Sequence, residues 1–469
     1  MNLFLVFGKE EINLPSLMSS ENVQSPRRVI ESEITEEKVL FPRSGESFRK
    51  EEVKICTKSF QPYYDLMAKL QTNQQFSRNE FIDNSMVVLT DVDEDNMLEM
   101  YCYCHGLETD QMDTITQECR GLVYDSQGQL VSRAFGHTPT YTPKTLPADL
   151  KEFFSDHFDA CIFYPSVEGS LVRAFYYQSN SDNEGDWYLT THRKLEAYRS
   201  FWACRSSFGK LFDQALSSHF LETNNQEFKD LEGTDLVNAF LKSLDKEKQY
   251  VFLIQNTLEN RIVCVPPKNP KVLYVGTFQK GMMIPNDPSV PVLQQEALSF
   301  TNLDQVLSFV ETIPSEQWQG VIVFAPNGKQ YKICSSEYME LFNLRNNNPS
   351  VMARYLQIRT DSKTRLVYEG LYPEWKERMN LYESTLKRIA SNLYNHYVSR
   401  FIKKEQVENL PEQEYKVVSN VHAWYKARCC RGNYSKVELQ NFEYQLNQCS
   451  SPDLNKMIRR QLDSEKDSQ

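Results

Sequence analysis

The segment Tyr164-Pro165-Ser166-Val167-Glu168-Gly169-Ser170-Leu171-Val172-Arg173 brings a hydroxyl, a carboxyl, a glycine and a guanidinium together within one short loop. A serine hydroxyl becomes a nucleophile only when a strong base takes its proton, and no such base accompanies Ser166 in this stretch. The Gly169-Ser170 pair permits close approach of the backbone to a bound group. Three other segments supply cations: Arg120 in Glu118-Cys119-Arg120-Gly121-Leu122-Val123-Tyr124, Arg261 in Asn260-Arg261-Ile262-Val263, and Lys332 in Tyr331-Lys332-Ile333-Cys334-Ser335. The planar fork of an arginine suits phosphate oxygens or a nucleic-acid end. Metal chemistry finds little footing. His105, His137, His157, His192, His219, His396 and His422 show neither an HExxH pattern nor paired metal spacing. The 11 cysteines contain no C-x-x-C pair with a matching second pair. Cys102, Cys104 and His105, followed by Cys119, come nearest to a cluster, and buried strand cysteines are the simpler reading.

Elements must hold these groups in place. From Met86 to about Ser335 the pattern is short β-rich runs separated by turns, such as Gly121 to Tyr124, Leu171 to Tyr177, Tyr250 to Ile254, Val272 to Val275 and Val321 to Phe324. Asp125-Ser126-Gln127-Gly128 reads as a hairpin turn. Helical segments are expected at Tyr63 to Gln71, Lys194 to Leu216 and Leu236 to Leu244. The expectation is an α+β domain on antiparallel sheets over residues 56–345, preceded by a flexible leader, 1–55. After Asn346-Asn347-Asn348-Pro349 the spacing turns helical, at Trp375 to Lys403 and Leu439 to Leu462, which makes 346–469 a mainly α-helical C-terminal domain. Within it, Trp424-Tyr425-Lys426-Ala427-Arg428 and Arg431 mix aromatics with cations, as an RNA contact would. A solvated helix face is the simpler reading.

Composition narrows the class. A formal charge of −11 over 469 residues argues against a protein that coats nucleic acid through a global positive field, while local basic patches remain open. No run approaches 18 apolar residues, and Met1 to Phe7 lacks a basic leader, so no membrane role is expected. Scattered cysteines without a secretory signal point to an intracellular, cytoplasmic setting.

Taken in order, five segments resemble the ATP-dependent RNA ligases of the bacteriophage tRNA-repair type, within the covalent nucleotidyltransferase superfamily. They are Glu118 to Tyr124, the loop at Ser166, Phe252-Leu253-Ile254-Gln255-Asn256 with Glu259-Asn260-Arg261-Ile262-Val263, Trp318-Gln319-Gly320-Val321-Ile322-Val323, and Tyr331 to Ser335 with Tyr338-Met339-Glu340-Leu341. The resemblance covers roughly half the chain. It implies a nucleotidyltransferase ligase fold, antiparallel-sheet and unrelated to ATP-grasp, in which a lysine attacks the α-phosphorus of ATP while carboxylates hold Mg²⁺. It also implies nucleotide binding by Arg120, Glu168, Gly169, Ser170, Arg261 and Lys332. Against that pattern Ser166 stands at the nucleophile position, Gln255 and Gln319 at the two carboxylate positions and Cys334 at a lysine position. Glutamine offers Mg²⁺ a neutral dipole in place of a charge. Lys144, Arg193 and Lys194 lie in segments resembling nucleotide-contacting ones and are candidates for a displaced cation.

The resulting expectation is an RNA-ligase-like protein with a degenerate adenylylation site that retains RNA, nucleotide or protein binding, the last through the helical C-terminal domain. One alternative is an active ligase with a rearranged nucleophile, using ATP and Mg²⁺; without activity no cofactor is required. Another is a structural or assembly component using the fold as a scaffold. RNA-ligase-like proteins resembling this family occur in large cytoplasmic DNA viruses, which would add the virion as a location.

Overall fold

The computed structural model describes residues 55–56, 59–70, 77–104, 106, 111–179, 184–279, 282–430 and 436–466, all within one compact unit. The expected leader, apart from residue 55, lies outside the described residues, as do Gln71, His105 and Arg431.

Fourteen strands run in the order β1 (Val87–Asp93), β2 (Leu98–Tyr103), β3 (Arg120–Tyr124), β4 (Leu130–Ser132), β5 (Thr140–Tyr141), β6 (Ile162–Ser166), β7 (Gly169–Tyr177), β8 (Asp186–Thr190), β9 (Gln249–Gln255), β10 (Val272–Gln279), β11 (Met282–Ile284), β12 (Leu293–Gln294), β13 (Gly320–Phe324) and β14 (Gln330–Cys334) among the described residues. They form three sheets, ordered β1-β2-β3-β4, β11-β10-β9-β7-β8 with β12 beside β10, and β5-β14-β13-β6. Pairing is antiparallel except where β5 joins β14 and β12 joins β10. The α+β class is therefore as expected. The strands are rich in valine, isoleucine and aromatic residues, which fit a pleated, half-buried surface.

Strand alternation separates the faces. On β6, β13 and β14, Phe163, Val321, Val323, Tyr331 and Ile333 enter one core with Val306 and Val310 of the helix Leu303–Thr312. Ile162, Tyr164, Ile322 and Phe324 point the other way, toward Val251, Leu253, Leu171 and Val275 of the second sheet. That second sheet buries its far face, Val172, Ala174, Phe252, Ile254 and Tyr274, under the helices Phe208–Glu222 and Gly233–Lys242 through Phe212, Phe220 and Phe240. Each such aromatic contributes about 1.5–3 kcal/mol on burial. Two sheets thus meet face to face, and their open end holds the site.

Helix boundaries differ from expectation in two places. The helix expected from Lys194 begins at Phe208, where the Ser207 hydroxyl accepts the Lys210 amide. The residues before it follow Asp91, a carboxylate distant in sequence, which accepts from the Leu195 amide at 2.8 Å, Lys194 Nζ at 3.2 Å and Arg199 at 2.9 Å. The expected Leu439 to Leu462 helix is two, Leu439–Asn447 and Ser451–Lys466, because Ser450 accepts the Asp453 amide and Pro452 starts a new first turn.

The helices after residue 345 pack on one another, with the long helix Lys376–Tyr397 at the centre. The segment 372–374 among them also reaches back to the connection between β9 and β10. Tyr372 donates its hydroxyl to Ile262 O, and Arg261 pairs with Glu374 at 3.4 Å. No described helix is long and apolar enough to cross a membrane.

Candidate anion-binding site

The pocket at the open end of the sheets has a volume of about 710 Å³. Its floor is built by register. Ser166 lies opposite Gly320, and Ile322 lies opposite both Tyr164 and Lys332, so alternation sends Ser166 and Lys332 to the same face. Gln319, just before β13, is fixed through its backbone: its amide donates to Ser166 O at 2.9 Å and its carbonyl accepts from Ser335 N at 3.0 Å. Its side-chain oxygen then accepts twice, from Lys332 Nζ at 2.6 Å and from Ser166 Oγ at 3.1 Å. The serine hydroxyl spends its proton on an amide oxygen, which is no base, so nothing activates it for attack.

Gly169 and Gly320 permit this arrangement. A Cβ on Gly169 would stand 2.4 Å from Ile254 O, across the β7–β9 pairing. Gly320 has φ +152°, and a Cβ there would stand 2.0 Å from Ile333 O. Any side chain at either position would push the strands apart beside Ser166.

The pocket's charge is one-sided. Arg120, Arg193 and Lys332 line it, with His137 and His192, and none of its lining residues is aspartate or glutamate. Arg173 lies just behind, buried, donating to Arg133 O at 2.9 Å and Thr191 O at 3.0 Å. No ion pair among the described residues involves Arg120, Arg173, Arg193 or Lys332. The titration behaviour of His192 agrees with a positive field. Burial, then Arg120, Arg173 and Arg193, hold the His192 imidazole well below its ordinary value and therefore neutral. Burial lowers Arg173 to about 10 and lowers Lys332 as well; Cys102 opposes the shift at Arg173 and Cys334 and Glu168 oppose it at Lys332, while Arg120 adds to both. A site of this kind attracts anions and gives a divalent cation no charged ligand. Mg²⁺ is usually held by one or two carboxylates with water and substrate phosphate, and because this lining supplies no carboxylate, the Mg²⁺ of the resembled family does not fit here.

Of the residues singled out in the sequence, Arg120, Ser166, Gly169, Ser170, Gln319 and Lys332 converge on this pocket, and Glu168, Gln255, Arg261 and Cys334 do not line it. Glu168 is buried and turns away, accepting from the Val263 amide at 2.8 Å, the Ile262 amide at 3.3 Å and the Tyr338 hydroxyl at 2.9 Å. Desolvation raises its pKa despite these donors. Tyr338 is placed by Ser335, which caps the helix Ser336–Arg345. Arg261 is buried against Val263 O and Glu374. Gln255, opposite Gly169, ends β9 beyond the pocket wall at Leu253. The buried Cys334 thiol is pushed up to about 11 and stays neutral.

Among Lys144, Arg193 and Lys194, Arg193 alone lines the pocket, with its guanidinium donating to Tyr103 O at 2.6 Å. Lys194 pairs with Asp91, and Lys144 is exposed elsewhere. Among the described residues Lys332 is the one lysine in the pocket lining. Sequence reasoning weighed His137 and His192 only as metal ligands and passed over Gln330 and the aromatic pair Phe201 and Trp202, all of which line the pocket. The adjacency of His192 to the candidate cation Arg193 was the one sequence signal that tied either histidine to this pocket.

No protein-family model matches the chain. It is 30% identical over 241 residues to the immediate-early protein ICP-46 homolog of Invertebrate iridescent virus 3, a match covering 50% of this chain and 48% of that relative. It thus spans about half the length of that relative. It is 26% identical over 342 residues to the ICP-46 homolog of Invertebrate iridescent virus 6, covering 70% of this chain and 71% of that one. Among solved structures, an archaeal ATP-dependent RNA ligase aligns with a TM-score of 0.34 at 13% identity, over 66% of this chain and 72% of that chain.

Proposed function

We propose that this chain is an RNA-ligase-like protein that holds a phosphate of RNA or of a nucleotide in the pocket without joining it covalently and without a metal. The observation that carries the reading is the lining itself: three cations, no carboxylate, and a Ser166 hydroxyl committed to Gln319. Arg120 and Arg193 offer guanidinium forks to phosphate oxygens. Lys332 adds a point charge, and Gly169 lets the backbone approach the ligand. The helices after residue 345, as a domain of their own, hold the Arg261–Val263 turn through Tyr372 and Glu374 and are available to protein partners. The similarity to viral immediate-early proteins favours action inside an infected cell.

Incubation with α-labelled ATP and Mg²⁺ or Mn²⁺, followed by denaturing electrophoresis, tests the chemistry. The expected result is no labelled protein, together with salt-sensitive RNA binding that Arg120→Ala and Lys332→Ala weaken. One observation favours a second reading, an active ligase with a moved nucleophile: Lys332 has a lowered pKa and is the lysine within the pocket. In that case the same gel shows a labelled band that Lys332→Ala abolishes.

A further inference from the structure

A second cavity lies beside the first and carries the opposite charge. It holds about 260 Å³ and shares only His137 and Gln330 with the lining of the larger pocket. Topology makes it: β5 pairs with β14 only at Lys332 and Ile333, and the cleft opens where that pairing stops, along Lys329, Gln330 and Tyr331. Its lining carries two carboxylates, Glu118 and Asp149, and no ion pair among the described residues involves either of them. Lys329, the one cation there, offsets one carboxylate and leaves the other in excess. His137 adds no charge, because burial and then Arg120 hold its imidazole below its ordinary value. Glu118 ends the helix Thr114–Glu118, where an anion gains nothing from the exposed carbonyls. Its Oε2 lies 3.3 Å from where a Cβ on Gly136 would stand. Asp149 lies near Tyr141, whose hydroxyl pKa rises through burial and then through this carboxylate.

Gln330 points to a ligand independently of these charges. It is 6% exposed, stands in the cleft wall, and its side-chain nitrogen has no hydrogen-bond partner among the described residues. A buried donor left unpaired calls for an acceptor supplied by something bound. The occupant must therefore offer a cation to the carboxylates and an acceptor to Gln330. An arginine within a peptide offers both, through its guanidinium and its backbone carbonyl. The planar guanidinium can lie on the Tyr141 ring while its fork donates to a carboxylate. The stretch of β14 beyond β5 suits an extended backbone, which sheet edges recruit. The volume is below the roughly 300–1,000 Å³ of pockets that take drug-sized ligands, so one side chain with its backbone fills it.

We propose that this cleft receives an arginine side chain of a protein partner, its guanidinium against Glu118 and Asp149 and its backbone carbonyl on Gln330. Charge complementarity selects the occupant and its place, since the cations of the neighbouring pocket repel a guanidinium and the carboxylates of the cleft attract it. None of the cations assigned to phosphate takes part, so the two sites stand or fall separately.

The test uses the full chain and the blocked tripeptide acetyl-Gly-Arg-Gly-amide, read by ligand-detected saturation-transfer NMR. The same tripeptide with citrulline is the neutral isostere, and the one with lysine keeps the charge without the fork. The arginine peptide should bind with a Kd on the order of millimolar, the lysine peptide more weakly and the citrulline peptide not at all. Glu118→Gln and Asp149→Asn should each weaken the arginine peptide by about fivefold, the scale of a partly exposed ion pair. Gln330→Met keeps the shape and removes the unpaired donor, so it should weaken the peptide while raising the melting temperature of the free chain. Circular dichroism should show an unchanged fold in all three variants. No binding of the arginine peptide, equal binding of the citrulline or lysine peptide, wild-type affinity in both carboxylate variants, or a lowered melting temperature in Gln330→Met would overturn the proposal. RNA binding by the same preparation would then confine the failure to the cleft and leave the phosphate pocket standing.

Discussion

The charge lining the pocket has a measurable consequence in salt. Three cations face the cavity, and Arg173 behind them has two of its guanidinium nitrogens occupied by carbonyls, so no more than Arg120, Arg193 and Lys332 meet phosphate. Each single-strand phosphate neutralised contributes a slope of about −0.7 to log K against log salt, which gives about −2 for the pocket. Between about 50 and 200 mM KCl, affinity for a short single-stranded RNA should fall by about 16-fold. Lys332→Ala should bring the slope to about −1.4 and the fall to about sevenfold. Fluorescence anisotropy at four or five salt concentrations measures this directly. EDTA should leave each point unchanged, because the lining offers Mg²⁺ no carboxylate. A slope near −5 would put the main contacts on another surface. A flat line, or binding that EDTA abolishes, would refute the metal-free cationic pocket altogether.

Other perturbations separate structure from chemistry. Ser166→Lys should yield no labelled adduct with α-labelled ATP, since Gln319 remains where the resembled family carries a carboxylate; a strong band in that variant would show that the missing amine is the sole defect. Gln319→Glu should place an anion against Lys332, now 2.6 Å from the amide oxygen, and so weaken RNA binding and flatten its salt slope as Lys332→Ala does. Gly320→Ala puts a Cβ on Ile333 O and should cost about 2–4 kcal/mol in denaturant unfolding, from a strained backbone and an overpacked strand pair; a loss below about 0.5 kcal/mol, the level of an ordinary surface change, would mean the strands separate freely. Glu168 has a folded pKa raised by burial. Its contribution to stability is therefore full below the unfolded value of about 4.3 and fades as pH rises through the folded value. Glu168→Gln should remove that part of the pH dependence, so that between pH 5 and 7 the variant's stability declines less, or rises more, than the wild type's; parallel profiles would contradict the shift.

Strand character was legible because period-2 patterns and β-branched runs are local. The α+β class and most strand positions followed from them, and so did the hairpin at Asp125 to Gly128, which joins β3 and β4. The start of the helix at Phe208 was not legible, because Asp91, more than a hundred positions earlier, holds Lys194, Leu195 and Arg199 in a non-helical course. The same limit applied to the cations. Lys144, Arg193 and Lys194 carry similar charge in similar segments, and only packing sends Arg193 into the pocket and Lys194 to Asp91.

The sequence by itself determined the cast at the floor of the site: Ser166, Gln319 and Lys332 in place of a fully charged set, with Gly169 and Gly320 where the strands crowd. Residue type alone decides whether a side chain can be a nucleophile, a metal ligand or a phosphate partner. Only the tertiary structure decided that Gln319 would accept from both Ser166 and Lys332, that Glu168 would serve the turn at Ile262 and Val263, and that Phe201 and Trp202 would line the pocket. Those outcomes depend on register between strands remote in sequence and on which face each strand buries, and such pairings are set by the packed sheets as a whole.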